Sequence, residues 1–198
     1  MLIEGADLAF HSPQDHMQIT TTTNAGLAQW IRWLHTQWRL LSRTFNGSAV
    51  CSNGCTTSAL HLPNPFVVPG GRFVESYYWD TLWIAKGLLV SRMFETVHGL
   101  LDNMRWLVDK NGFIPNGNRV YYFNRSQPPV FAMMLMDYVY SCLQHPLNGG
   151  NRTLDMVAYI RSYIPYLHKE YSFWMRRRSM ELAPLEDDSD PMYDYFAL

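Results

Sequence analysis

The chain has 198 residues, 47% hydrophobic, 15% aromatic and 17% charged, and its 16 Lys and Arg against 17 Asp and Glu leave a formal net charge of −1. This composition excludes a disordered tail, a collagen-like repeat and a disulfide-dense miniprotein, and the length suffices for a sizeable core. A dedicated nucleic-acid binder carries a basic excess that is missing here, whereas 7 Trp, 12 Tyr and 10 Phe supply flat faces of the kind that cover sugars or bases.

Residues 1–24 are polar and end in a run of threonines, and they read as a loose lead-in to a domain over 25–198. Met1 to Phe10 carries Glu4 and Asp7 where a secretory signal would have a basic start and an apolar stretch. From Ala25 to Arg43, Leu27, Trp30, Ile31, Leu34, Trp38 and Leu41 recur at intervals of three and four, the stripe of an amphipathic helix. Phe45 to Pro65 is a polar loop holding Cys51 and Cys55, which could pair or stay as thiols; with Cys142 they make three cysteines without metal-ligand spacing.

Pro69-Gly70-Gly71 predicts a turn. Helices are expected over Tyr78–Val90 and Met93–Val108, with Gly112 supplying a left-handed stop after Asn111. A loop dense in Gly, Pro, Asn, Arg and Tyr follows to Pro129, then an apolar helix over Val130–Cys142. The longest purely apolar run, Val130 to Met136, is far too short for a membrane span. Thr153 to Arg178 reads as a last long helix that Pro165 kinks or splits. Few strand-like alternations occur, so an all-α fold of helical hairpins is expected.

Two segments concentrate polar side chains beside aromatics: Pro-Gly-Gly-Arg-Phe-Val-Glu-Ser-Tyr-Tyr-Trp-Asp at 69–80, and Ile-Pro-Asn-Gly-Asn-Arg-Val-Tyr-Tyr-Phe-Asn-Arg-Ser-Gln-Pro-Pro at 114–129. Arginine offers a rigid fork of donors, while Asn and Gln offer a donor beside an acceptor. Such a set can grip a neutral polyol, whose hydroxyls both donate and accept.

These two stretches resemble signatures of the trehalases of glycoside hydrolase family 37, and weaker similarity runs from about Leu27 to the C-terminus through Asn64-Pro65-Phe66-Val67-Val68 and Phe173-Trp174. The resemblance implies an (α/α)6 toroid, here incomplete, and hydrolysis of α,α-trehalose to two glucose molecules with inversion. Carried over by motif, Arg72, Trp79 and Asp80 would contact trehalose from the first segment, and Asn116, Arg125, Ser126 and Gln127 from the second. Phe73 and Tyr77 are stacking walls by the same reading. No metal, organic cofactor, nucleic acid or membrane partner is implied.

An inverting glycosidase needs a carboxylic acid and a carboxylate base roughly 6.5–9.5 Å apart. Glu75 and Asp80 are five apart, so on one helix they would point about 140° from each other. By the resemblance, which places the family's acid and base in later motifs, Asp80 is read as binding and Glu75 as orienting. The Arg-Pro-Glu clamp and the later carboxylate motifs of the family are absent, so no catalytic residue is expected within this chain, which reads as the earlier part of a catalytic domain; the alternative is a non-catalytic truncated isoform or gene fragment with residual sugar binding. The family's Gly-Gly after Pro-Asn is Gly117-Asn118 here, and Asn tolerates the positive φ such a turn could need. Sequons stand at Asn46, Asn124 and Asn151, and a glycan on Asn124 would obstruct a pocket at Arg125. Arg176-Arg177-Arg178 is read as a solvated helix end.

Overall fold

The computed structural model describes residues 2–4, 24–45, 57–145 and 152–178. The expectations for residues 5–23, for Cys51 and Cys55, and for the sequons at Asn46 and Asn151 lie outside them. The chain is all-α in its dominant architecture. Helix α1 (Ala25–Leu41) opens on Asn24, whose side-chain oxygen accepts the Leu27 N–H at 3.1 Å. Where the hydrophobic spacing carries that helix on to Arg43, the structure ends it at Leu41 and continues as an extended strand. A small sheet in the order β1-β2-β3 (Leu2–Glu4, Ser42–Phe45 and Phe66–Val67) is antiparallel throughout, with Ser42 opposite Val67 and Ile3 opposite Thr44. Strands this short leave no alternation to read, and their pairing partners are distant in sequence.

Helices α2 (Tyr78–Val90) and α3 (Phe94–Asn111) form a tight hairpin. Its turn places Arg92 at φ 56°, with the Arg92 N–H donating to the Leu89 carbonyl and the Met93 N–H to that of Leu88. This is the six-to-one, five-to-two closure that glycine usually supplies. Gly112, at φ 79°, ends α3 by donating to the Val108 carbonyl at 2.8 Å, as expected. Helix α4 (Phe131–Gln144) packs on both α2 and α3, and α5 (Arg152–Phe173) packs on α3 and α4.

The core lies between these four helices. Leu82, Leu88, Val97, Leu100, Leu101, Met104, Val108, Phe131, Met134, Leu135 and Tyr163 are all essentially solvent-free. Removing a Leu or Phe side chain of this kind from water contributes about 1.5–3 kcal/mol. Phe66, Val67 and Val68 close the same core from the sheet side. Asn103, fully buried in α3, accepts the Asn64 N–H and donates to the Asn64 carbonyl, so the chain entering β3 is held against α3.

Pro165 neither splits nor ends α5, which runs unbroken to Phe173 before a π-helical turn over Trp174–Arg178. The proline is on the exposed side. Tyr163 and Glu170, on either side of it in sequence, both stay buried, so packing holds the helix through the missing N–H. Helix α1 docks more thinly. Ala28 and His35 are its buried residues; Trp38 lies over Gly87, where an added Cβ would meet the indole at 2.9 Å, and donates from Nε1 to Ser91 Oγ. Trp30, Trp33 and Leu40 of the same helix remain more than half exposed.

Candidate functional site

The first motif begins with the expected turn. Gly70 (φ 104°) and Gly71 (φ 59°) take conformations that side chains disfavour, and Gly70 and Phe73 exchange both backbone hydrogen bonds. Extended chain then leads to α2, which starts at Tyr78. Glu75 therefore precedes the helix and Asp80 lies in its first turn, so the two never share a helix and the 140° argument does not apply. What separates them is their partners. Glu75 is nearly buried and its Oε1 accepts from Arg119 Nε at 2.6 Å, with the Tyr77 and Tyr121 hydroxyls donating at 3.4 Å. Burial, the hydrogen bond with Tyr122 and the Glu75 charge hold the Tyr77 hydroxyl well above its ordinary range, so it remains a donor.

The second motif is laced to the first. Asn118 Oδ1 accepts the Ser76 N–H at 3.0 Å, and the Asn118 N–H donates to the Ser76 carbonyl at 3.1 Å. Asn118 has no positive φ; the only non-glycine residue so placed among those described is Arg92. Its value at this position is the side-chain oxygen, which a glycine lacks. Gly117 is held by close approach instead, since a Cβ there would meet the Ser76 carbonyl oxygen at 3.1 Å and the Tyr122 ring at 2.9 Å.

The two helices that leave the motifs cap one another. Helix α2 has no side-chain cap of its own; its Tyr78 N–H donates to the Asn116 carbonyl at 3.2 Å and its Trp79 N–H to Gln127 Oε1 at 2.8 Å. Helix α4 likewise lacks its own cap, and the Val130 and Phe131 N–H groups donate to the Tyr78 hydroxyl at 2.9 and 2.8 Å. That hydroxyl donates in turn to Glu170 Oε1 at 2.6 Å.

Between the motifs runs a line of rings. The Arg72 guanidinium sits 5.0 Å from the Phe73 ring centre, Phe73 meets Tyr77 edge to face at 5.9 Å, and Tyr77 meets Tyr122 at 6.1 Å. The Arg125 guanidinium closes the line 4.9 Å from Tyr122. Two cations thus bracket three aromatic rings drawn from both motifs. Trp79, 39% exposed, meets Trp83 edge to face beside Asp80. The side chains of Arg72, Asp80, Asn116 and Arg125 have no hydrogen-bonded partner among the described residues, so their polar heads are available. Ser126 is placed otherwise: its hydroxyl donates to the Ile114 carbonyl at 2.6 Å and so pins the loop from inside. Gln127 spends its oxygen on α2 and keeps its amide N–H groups. Cavities of about 690, 550 and 420 Å³ occur at other places on the surface, lined by residues outside both motifs. Among the described residues no group of three His, Cys, Asp or Glu could hold a metal ion, and no helix is long and apolar enough to cross a membrane.

Sequence reasoning singled out neither Arg119, Asn118 as an acceptor, Tyr78, nor Glu170. Glu170 did carry a signal: it continues the buried face of α5 from Tyr163, a carboxylate at a position where the pattern calls for an apolar residue.

The class defined so far is a helical protein presenting an arginine-bracketed aromatic face on two cross-capped loops. The family model described as Trehalase matches residues 6–195, and the chain belongs to the trehalase family. It is 42% identical over 161 residues to the trehalase of Dictyostelium discoideum, an alignment covering 81% of this chain and 25% of that protein. To the trehalase of Homo sapiens it is 39% identical over 172 residues, covering 87% and 27%. Among solved structures, it is similar to the neutral trehalase Nth1 from Saccharomyces cerevisiae, at 33% identity and TM-score 0.47, covering 55% of this chain and 18% of that one. The chain spans about a quarter of the length of the curated relatives it matches.

Proposed function

We propose that residues 25–198 are part of a trehalase catalytic domain, an incomplete (α/α)6 toroid, and that motifs 69–80 and 114–129 form one wall of its α,α-trehalose pocket. In this reading Arg72, Asp80, Asn116, Arg125 and Gln127 bind sugar hydroxyls, Trp79 with Phe73 and Tyr77 cover the apolar ring faces, and Ser126 holds the loop that presents them. The observation that carries it is the Arg72–Phe73–Tyr77–Tyr122–Arg125 line, which joins the two motifs into one face. Hydrolysis proceeds by inversion, with an acid and a water-activating base supplied from outside this chain. The engagement of Glu75 by Arg119 supports excluding it from that pair: a carboxylate held in a 2.6 Å ion pair is poorly placed to give or take a proton. Asp80, at the positive end of α2, is suited to accept from sugar hydroxyls.

The test is kinetic, at the protein's native length. Arg72→Ala and Arg125→Ala should each lower kcat/KM for trehalose by at least a hundredfold, because a removed fork leaves buried sugar hydroxyls unpaired. Activity within a few-fold of the parent would take both residues out of the pocket. The same assay separates the non-catalytic alternative, in which native-length parent protein releases no glucose at all.

A further inference from the structure

The sugar-binding wall hangs on a buried group that lies far from it in sequence. Glu170, on α5, is 4% exposed, and its Oε1 accepts from the Tyr78 hydroxyl at 2.6 Å. A tyrosine hydroxyl has one proton to give and two lone pairs. Here both lone pairs are taken, by the N–H groups of Val130 and Phe131, so the proton has to go to Glu170. Val130 and Phe131 are the first backbone donors after Pro128-Pro129, two residues that offer none. Residues 127–131 are thus tied at two points to adjacent residues of α2: Gln127 to the Trp79 N–H, and the start of α4 to the Tyr78 hydroxyl. The prolines between the ties stiffen the strap, so a shift at one end is passed to the other.

We propose that Glu170 is a positioning residue for sugar binding: by fixing the Tyr78 hydroxyl it anchors the start of α4 and sets the strap that carries Gln127 and, just before it, Arg125. The proposal rests on the trehalose-wall reading of the two motifs. Glu170 touches no substrate; it acts through Tyr78. Loss of its acceptor leaves the Tyr78 proton without a partner in an apolar setting, and the hydroxyl turns away from one of the two N–H groups it now accepts.

The experiment compares Glu170→Leu, Glu170→Asp, Glu170→Gln and Tyr78→Phe with Gln127→Ala in the native-length protein, reading KM and kcat for trehalose alongside thermal unfolding. Glu170→Leu and Tyr78→Phe should raise KM at least fivefold while kcat stays within twofold, the pattern of lost uniform binding. Glu170→Asp, which withdraws the acceptor by one methylene, should do the same in milder form and serves if the leucine variant does not fold. Glu170→Gln keeps an acceptor oxygen and should return KM to within twofold of the parent. A fall in unfolding temperature with KM unchanged in all of these variants would overturn the proposal and make Glu170 purely structural; so would a glutamine variant as impaired as the leucine one. Gln127→Ala keeps the two ideas apart. If it raises KM and the Glu170 variants do not, the positioning role fails alone; if Gln127→Ala leaves KM untouched, the wall itself is misassigned.

Discussion

Arg119→Met removes the cation from the Glu75 pair while retaining an aliphatic stem of similar length. The guanidinium donates to Glu75 Oε1 at 2.6 Å and to Ser58 Oγ at 3.0 Å, so two charge-assisted bonds are lost together. Breaking one side of a fully buried pair costs about 3–5 kcal/mol. This pair is not fully buried: the side-chain exposures are 26% for Arg119 and 12% for Glu75, so water screens it in part. The Tyr77 and Tyr121 hydroxyls, both at 3.4 Å, remain as weak donors to the stranded carboxylate. A loss of about 2 kcal/mol is therefore expected, read as a lower urea midpoint at constant slope. Adding Glu75→Gln to Arg119→Met removes the stranded charge and should recover about half of that loss. Because Glu75 also receives the Tyr77 hydroxyl in the middle of the aromatic line, KM for trehalose should rise with the single variant and partly return with the double. A single variant within about 0.5 kcal/mol of the parent, or strictly additive effects in the double, would refute the coupling on which this reasoning depends.

Two further outcomes are expected. Arg92→Gly should stabilise the protein by about 0.5–1 kcal/mol in the same urea assay, because Arg92 holds a left-handed conformation that glycine adopts without a Cβ penalty; a destabilised variant would contradict that reading of the α2–α3 turn. Burial pushes the Glu170 carboxyl up to about 7, against a lowering by the Tyr78 hydrogen bond. The folded state then holds a proton that the unfolded chain has released, so the stability due to this group is full below the unfolded pKa of 4.5 and falls as pH rises to about 7, by roughly 3 kcal/mol in all. Urea midpoints at pH 5 and pH 8 should show that decline in the parent and a flatter profile in Glu170→Gln; parallel profiles would remove Glu170 as its source.

What the sequence makes legible follows from how local each signal is. Helix α2 is placed at Tyr78–Val90 as expected, since a proline-glycine turn precedes it and an apolar run defines it. Gly112 likewise announces the end of α3. The end of α1 is less legible, because Ser42 and Arg43 leave the helix to pair with Val67 and Phe66, residues no local window contains. Of the two effects expected of Pro165 within the last long helix, the split does not occur, because α5 packs along its length on α3 and α4. At the site, the motif residues are visible as a pattern, but their division of labour is not. Residue type alone does not tell Glu75 from Asp80, and only the family motif separates them in sequence; the partners that make Glu75 a structural carboxylate, Arg119 above all, lie up to 46 residues away along the chain. Gln127 reads as a sugar ligand, while its role as a cap for α2 becomes visible only once the two motifs face each other.

The central claim is that the two motifs form a single trehalose-binding wall. Hydrogen–deuterium exchange of the native-length protein, with and without saturating trehalose, tests it directly. The account predicts slowed exchange in peptides spanning residues 72–80 and 116–127 together, with no change around the separate cavity formed by Asn111, Phe113, His168 and Arg176. Protection of one motif without the other, or at that cavity instead, would contradict it.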